Sequence, residues 1–388
     1  MSFDLHSVLE LLTSFQAFLF SLFLLSSTRK NRLSNQLIAL FLTLLAINIS
    51  YNFISEYIDK FSPNLTIFIM MSAYLMAPSL YLHLKASINS DYKLSWKEGV
   101  HLFPFILFNM FILNDVYIAN ILNESLPSIM EKSMNIVLYS GFYALFFFYL
   151  ILGFHLLWKT KKLYYENFSN TDIRRFNYLF QLNAIVSFVM VSSAIKNYIV
   201  FNKYGEFIGD SIIIVLLLLL ILFCWILYKG LNSPELFDHK AKSLNLVSEI
   251  VNEVKRKSDN YSSIVDQRVL MEISTEQVDR LTRFMKEEKP YLEPTLSLQE
   301  LASRLDVPPR ELSILINHHL SKHFFDFVND FRIEHAKDIL SDPSKQDLTI
   351  LEILYEVGFN SKSSFNSAFK KVTGFTPTQF RKKQFTMA

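Results

Sequence analysis

Residues 349–381 read TILEILYEVGFNSKSSFNSAFKKVTGFTPTQFR, and this stretch decides what the end of the chain is. Thr349 followed three residues later by Glu352 is the start of a capping box, after which Ile350, Ile353, Leu354 and Val357 recur at helical spacing. Gly358 ends that helix, since glycine accepts the positive φ of a tight turn. Ser361 supplies a second N-cap, and Phe365 and Phe369 then stand four apart on one face of the next helix. Two short helices joined by such a turn make a helix-turn-helix. From residue 357 onward there are six Lys or Arg (Lys362, Lys370, Lys371, Arg381, Lys382, Lys383) and no Asp or Glu, a one-signed patch suited to neutralising phosphates.

The same grammar occurs upstream. Ser297 and Glu300 form another capping box, and Leu298, Leu301, Ala302 and Leu305 give the helix that follows a buried stripe. Asp306-Val307 is its turn; Pro308 and Pro309 open a second helix from Arg310 to about His319, with Leu312, Leu315 and Ile316 inward. His323 to Leu340 reads as a long connecting helix whose core residues are Phe324, Phe327, Val328, Phe331, Ile333, Ala336 and Leu340. A further helix begins at Ser274 or Thr275, places Val278, Leu281 and Met285 on one face and stops before Pro290. His318, His319 and His323 have no cysteine or carboxylate framing them, so no metal is expected; no cofactor is expected either. Nor does any nucleophile with a base or glycine-rich phosphate loop suggest an enzyme.

At Val357-Gly358-Phe359, Ser361, Ser363, Phe365, Phe369-Lys370, Gly374, Thr376-Pro377 and Phe380-Arg381 the sequence resembles the signature of the AraC/XylS family of bacterial transcriptional regulators. The resemblance implies a DNA-binding domain of two helix-turn-helix units joined by a long helix, entering successive major grooves, with double-stranded DNA and RNA polymerase as partners. Base-reading residues sit outward near the start of a recognition helix. Here they are Arg310, Ser313, Ile314 and Asn317 in the first unit. In the second they are Lys362, Ser363, Ser364, Asn366 and Ser367, with Lys370 and Lys371 on phosphates. Ile314 and Ser367 stand where relatives often carry a base-reading arginine, and Pro308 replaces the usual capping hydroxyl. Residues 293–356 also hold twelve Asp or Glu against six Lys or Arg, so the expected readout is asymmetric and led by the second unit.

The rest of the chain has another character. Of 388 residues, 51% are hydrophobic and 37 are Phe, and the long apolar runs lie in 1–230. Crossing the hydrocarbon core takes about 20 mostly apolar residues. Seven spans are expected, at about 5–28, 33–55, 64–85, 98–114, 133–158, 175–201 and 208–229. The fourth is short and carries Pro104, which with Pro78 is expected to kink its helix, and Gly230 is expected to end the seventh. Asp4 and Glu10 stand where a cleaved signal peptide would be basic. Loops after spans one, three and five carry Arg29, Lys30, Arg32, then Lys85, Lys93, Lys97, then Lys159, Lys161, Lys162, Arg174 and Arg175; the others hold Lys60, Lys132 and Lys203. The positive-inside rule then places the N-terminus outside a bacterial cytoplasmic membrane and residues from 230 onward in the cytoplasm, with membrane lipid as a further partner. The net charge of +2 averages two unlike parts, and a single cysteine, Cys224, excludes an intrachain disulfide.

Polar residues inside spans are costly and usually face a bundle interior or wet cavity. Glu10, Asn48, Asn52, Lys196, Asn197 and Asp210 fall toward the outer face, and a Glu10–Lys196 pair with Tyr51 and Tyr74 nearby would line a pocket for an unknown signal ligand. Interfacial snorkelling or interhelical hydrogen bonding accounts for the same residues. Between membrane part and C-terminal module, Leu244, Val247, Val251 and Val254 form a two-repeat heptad seam. It fits a homodimer through 236–265 and equally a helix packed on its own module or a frayed linker. The expected architecture is therefore all-α: a seven-transmembrane-helix bundle (1–230), a cytoplasmic helical connector (231–273) and an AraC-type double helix-turn-helix domain (274–388). It reads as a membrane-integrated one-component transcriptional regulator. The alternative is a transporter-like or scaffold membrane protein whose helix-turn-helix domain binds a protein partner.

Overall fold

The structure, a computed structural model, describes residues 5–26, 32–89, 92–118, 120, 128–169, 173–232 and 275–386, and no strand occurs among them. The seam expected over 236–265 lies outside the described residues. The chain divides into two compact units: Met1–Leu157 with Asn177–Asn245, and Trp158–Phe176 with Leu246–Ala388.

The first unit is built from α1 (Leu5–Ser26), α2 (Arg32–Phe61), α3 (Pro63–Met71), α4 (Met76–Ile88), α5 (Phe103–Phe111), most of α6 (Ser128–Asn167) and α7 (Ile173–Phe201), and α8 (Gly205–Asn232). Helix α1 shows why it packs as it does: Leu9, Thr13, Ala17, Phe20 and Leu24, three or four apart, are buried, while Leu11, Phe15, Phe18, Leu22 and Leu25 are exposed. A helix apolar all round with its outer face uncovered suits a solvent that is itself apolar. Polar groups turn inward to partners, as where Ser21 Oγ donates to Ala39 O (3.0 Å) and Asn183 Nδ2 donates to Leu150 O (3.1 Å).

Among the described residues, six helical stretches are long and apolar enough to cross a membrane, against seven expected. The difference is the stretch around 98–114, which is split into a 3-10 turn (Trp96–Leu102), the nine-residue α5 and a π turn (Leu113–Ile118). Three details depart from the sequence reading. Pro104 sits in the first turn of α5 and starts that helix rather than kinking it, because a first-turn N–H has no intrahelical acceptor. Gly230 does not end the last apolar helix, which runs on to Asn232. Pro78, like Pro104, falls in the first turn of its helix, α4, directly after a 3-10 turn at Ser72–Leu75, where its missing N–H removes no intrahelical hydrogen bond.

In the second unit, α9 (Thr275–Glu287), α10 (Leu298–Leu305) and α11 (Pro309–Ile314) pack with the first half of α12 (Phe324–Ser341) around Leu281, Leu301, Leu312, Ile316, Phe324 and Val328. The second half of α12 shares another core with α13 (Ile350–Glu356), α14 (Lys362–Thr373) and α15 (Pro377–Thr386) through Ile333, Ala336, Leu354, Phe359, Phe365 and Phe369. Between the two cores stands Arg332, 0% exposed. Its five N–H donors are all used: Nε to Tyr291 O (2.6 Å), Nη1 to Ser169 O (3.1 Å) and Asn329 Oδ1 (3.2 Å), Nη2 to Ser169 Oγ (3.1 Å) and Glu293 O (2.7 Å). The guanidinium also lies 5.4 Å from the centre of the Phe359 ring, so one cation ties both cores.

Candidate functional site

Both capping boxes form. Ser297 Oγ accepts from Glu300 N (3.3 Å) while Glu300 returns to Ser297 N (2.9 Å), and Thr349 and Glu352 do the same at 3.2 and 2.7 Å. The Glu352 carboxyl is held below the usual range by hydrogen bonds from Thr349, first from its backbone N–H and then from its hydroxyl. Gly358 has φ +90°, which ends α13 and sets the angle to α14.

Ser361 caps α14, accepting from Ser364 N (3.2 Å) and donating to Ser364 Oγ (2.9 Å). Ser364 is thereby committed to the cap and half-buried, whereas Lys362, Ser367 and Lys370 are exposed and Ser363 and Asn366 half-exposed. Lys371 is exposed but ion-paired with Asp326 on α12 (2.6 Å).

The first helix-turn-helix presents a different surface. Helix α11 is six residues long and passes into a π turn over Leu315–His319. Arg310 is exposed at its start; Ser313 and Asn317 are half-buried, and Asn317 Nδ2 donates to Ser313 Oγ (3.1 Å). Four of the six basic residues in 293–356 are ion-paired (Arg304–Glu293, Lys322–Asp330, Lys337–Glu334, Lys345–Glu356) and a fifth, Arg332, is buried. From residue 293 onward, the exposed cations outside these ion pairs therefore lie mostly on the second helix-turn-helix.

A cavity lies in the first compact unit. About 300 Å³ in volume, it is lined by Glu10, Asn48, Tyr51, Lys196 and Asn197 at polar positions, and by Met70, Met71, Phe142 and Leu219 among apolar ones. Its wall carries a hydrogen-bonded group: Asn197 Nδ2 donates to Tyr143 Oη (2.8 Å), which is 2.9 Å from Ser193 Oγ. Tyr74, also in the lining, donates to Leu138 O (2.6 Å). Of the sensing set expected from sequence, Glu10, Tyr51, Lys196 and Asn197 meet here. Asp210 does not line the cavity and is exposed, and the Asn52 side chain lies outside the described residues.

With this geometry in view, residues 301–383 match the family described as "Helix-turn-helix domain". The C-terminal part of the chain is an AraC-type helix-turn-helix domain. Curated relatives include "HTH-type transcriptional regulator GlxA" of Rhizobium meliloti (strain 1021), 33% identical over 92 residues that cover 24% of this chain and 28% of the relative. Another is "Uncharacterized transcriptional regulatory protein YesN" of Bacillus subtilis (strain 168), 36% identical over 93 residues, covering 24% of this chain and 25% of that protein. Both matches therefore span only about a quarter of the relatives' length. Among solved structures the chain is similar to the C-terminal domain of AraT, a response regulator from Geobacillus stearothermophilus. That likeness has 29% identity, covers 29% of this chain and 88% of that one, and has a TM-score of 0.25.

Two features of the AraC-type domain go beyond the expectations from sequence. Arg332 and Asn329, buried in α12, carry the joint between its halves although their residue types predict a solvated face. Helix α15 was readable in principle: Thr376 and Gln379 cap it reciprocally, Gln379 N donating to Thr376 Oγ1 (3.3 Å) and Thr376 N to Gln379 Oε1 (3.0 Å).

Proposed function

We propose that the protein is a membrane-integrated one-component transcriptional regulator. Its AraC-type domain binds double-stranded DNA through both helix-turn-helix units, led by α14, and a signal taken up in the helix bundle controls it. The observation that carries this reading is the presence, in one chain, of the AraC-type domain and six apolar membrane-length helices. The stretch Trp96–Ile118 supports a seventh crossing, since its 3-10, α and π turns follow one another with only Ile112 between them. An odd number of spans carries the N-terminus outside and the DNA-binding domain into the cytoplasm, in agreement with the loop charges. RNA polymerase, lipid and a homodimeric partner follow from the same reading.

The roles are assigned by surface and charge. Lys362 and Lys370 hold phosphates, Ser363 and Ser367 face base edges, and Arg310, Ser313 and Asn317 give the first unit a weaker contact; Ser364 orients the helix and Lys371 contacts phosphate on leaving Asp326. The test is DNA binding by the full chain in nanodiscs, using fragments that include its own promoter and a salt titration. Changing Lys362 and Lys370 to Ala is expected to weaken binding about tenfold or more and to flatten the slope of log K against log salt by about one per lysine. Binding that ignores salt and both lysines would instead favour a protein partner for this domain.

Glu10, Tyr51, Lys196 and Asn197 form the proposed signal site, in a cavity lined by both polar and apolar side chains. In cells carrying a reporter on the gene's own promoter, Lys196→Met is expected to fix output at one level across conditions that shift the wild type. DNA affinity of the purified variant should be unchanged. Output that still follows the conditions removes Lys196 from the site.

A further inference from the structure

The second compact unit contains a segment from far upstream, Trp158–Phe176, which comprises the end of α6, Phe168-Ser169 just after it, and the start of α7. Part of it is built into the AraC-type domain. Phe168 pairs with Ser297 as an antiparallel bridge. Ser169 N and Ser169 Oγ both donate to Leu296 O, at 3.2 and 2.7 Å. In return Ser169 O accepts from Arg332 Nη1 (3.1 Å) and Asn329 Nδ2 (3.4 Å), and Ser169 Oγ accepts from Arg332 Nη2 (3.1 Å). The Tyr165 ring stands edge-on to Phe325 at 4.9 Å, and Phe168 and Ser169 are 5% and 1% exposed. Without this segment, two donors of a buried guanidinium and the amide of a buried asparagine would face nothing, an arrangement proteins avoid because a desolvated, unmatched polar group is costly. The receiving groups are thus complementary to the loop's backbone and hydroxyl.

We infer that Leu296, Ser297, Asn329 and Arg332 form an intramolecular docking site for Phe168-Ser169, and that this docked loop is the route by which movement of α6 and α7 reaches the DNA-binding domain. The docking stands on the contacts alone; the transmission rests on the sensing reading proposed above. Chain continuity makes the loop independent of the other covalent path, residues 233–274. It meets the domain at the seam between the two cores, beside the residue that ties them, where a displacement changes how one helix-turn-helix is set against the other. Two-state coupling of this kind needs only that the bundle's two arrangements favour docked and undocked loop unequally.

The test uses the full chain in membranes with Cys224 changed to Ser and two cysteines introduced, Phe168→Cys and Ser297→Cys. Residues opposed in an antiparallel bridge have Cα atoms about 4.5–5.5 Å apart, within reach of a disulfide. Mild oxidation is expected to give a crosslinked band of shifted mobility that reductant reverses. Adding Ser169→Pro, which removes both donors to Leu296, is expected to slow crosslinking about tenfold or more, and Ser169→Ala by a smaller factor. Retained salt-sensitive DNA binding by the Pro variant shows that the domain is still folded. Absence of the crosslink, or a rate indifferent to both Ser169 changes, overturns the docking. Glu10→Gln and Lys196→Met, in the bundle cavity, are then expected to change the rate about threefold or more in either direction. A rate unmoved by them, with the crosslink intact, overturns the transmission and leaves the docking. DNA titrations separately score the regulator reading.

Discussion

Gly358→Ala is expected to destabilise the C-terminal unit by about 2–5 kcal/mol, the sum of a left-handed backbone penalty and an overpacking term. Gly358 has φ +90°, and a Cβ there would lie 2.5 Å from Tyr291 O and 2.8 Å from Leu292 O. These are backbone atoms, and Tyr291 O is the acceptor for Arg332 Nε at 2.6 Å, so it has no room to withdraw without breaking the joint. Gly374 provides the comparison: its φ is +79° with nothing within 4 Å of an added Cβ, so Gly374→Ala carries only the conformational penalty, about 1 kcal/mol. Denaturant unfolding of both variants, with hydrogen exchange followed over 290–293 and 354–369, separates the two terms. Equal losses at the two glycines would show that the segment at Tyr291–Leu292 yields easily.

This joint marks the limit of what the sequence discloses. Both capping boxes, the Ser361 cap and the core faces of α10, α12 and α14 are local, because each depends on residues three or four apart, and they lie where the spacing puts them. Arg332 is not local. Its neighbours Phe331 and Ile333 reveal a helix near a core, but its acceptors come from 291, 293 and, 163 residues away, Ser169, and no periodicity links these. In the bundle, Glu10 and Lys196 meet at one cavity as their apolar contexts suggested. Asp210 does not, because it stands about 140° and 180° around α8 from Val215 and Leu219, which line that cavity. Its direction around the helix was not legible, because hydropathy alone does not fix which face of a span turns to a neighbour. The fourth apolar stretch was underdetermined for another reason: hydropathy measures length and composition, whereas Trp96–Ile118 changes helix type twice.

The second large effect is expected at Arg332. Its charge is buried with no carboxylate among its hydrogen-bond partners, which are the carbonyls of Ser169, Tyr291 and Glu293, the Ser169 hydroxyl and the Asn329 amide oxygen. Burial pushes the guanidinium down to about 9, still above neutrality, so it remains a cation held by dipoles. Arg332→Met keeps much of the stem and removes all five donors; the loss is expected to be about 3–5 kcal/mol, since the buried acceptors remain and have no substitute. Replacing a whole buried ionic group with apolar residues can be harmless, but here the partners are backbone carbonyls that no single substitution deletes. Arg332→Lys keeps the charge yet offers three donors from one point, too few and too close together to span Tyr291 O, Glu293 O and Ser169 O, so about half of the loss should persist. In urea titrations of the full chain, Met below Lys below wild type is the expected order, with exchange rising together in 290–293 and 164–169. A Met variant as stable as wild type would mean that the acceptors find water. Arg332 would then set the relative pose of the two helix-turn-helix units without holding them together.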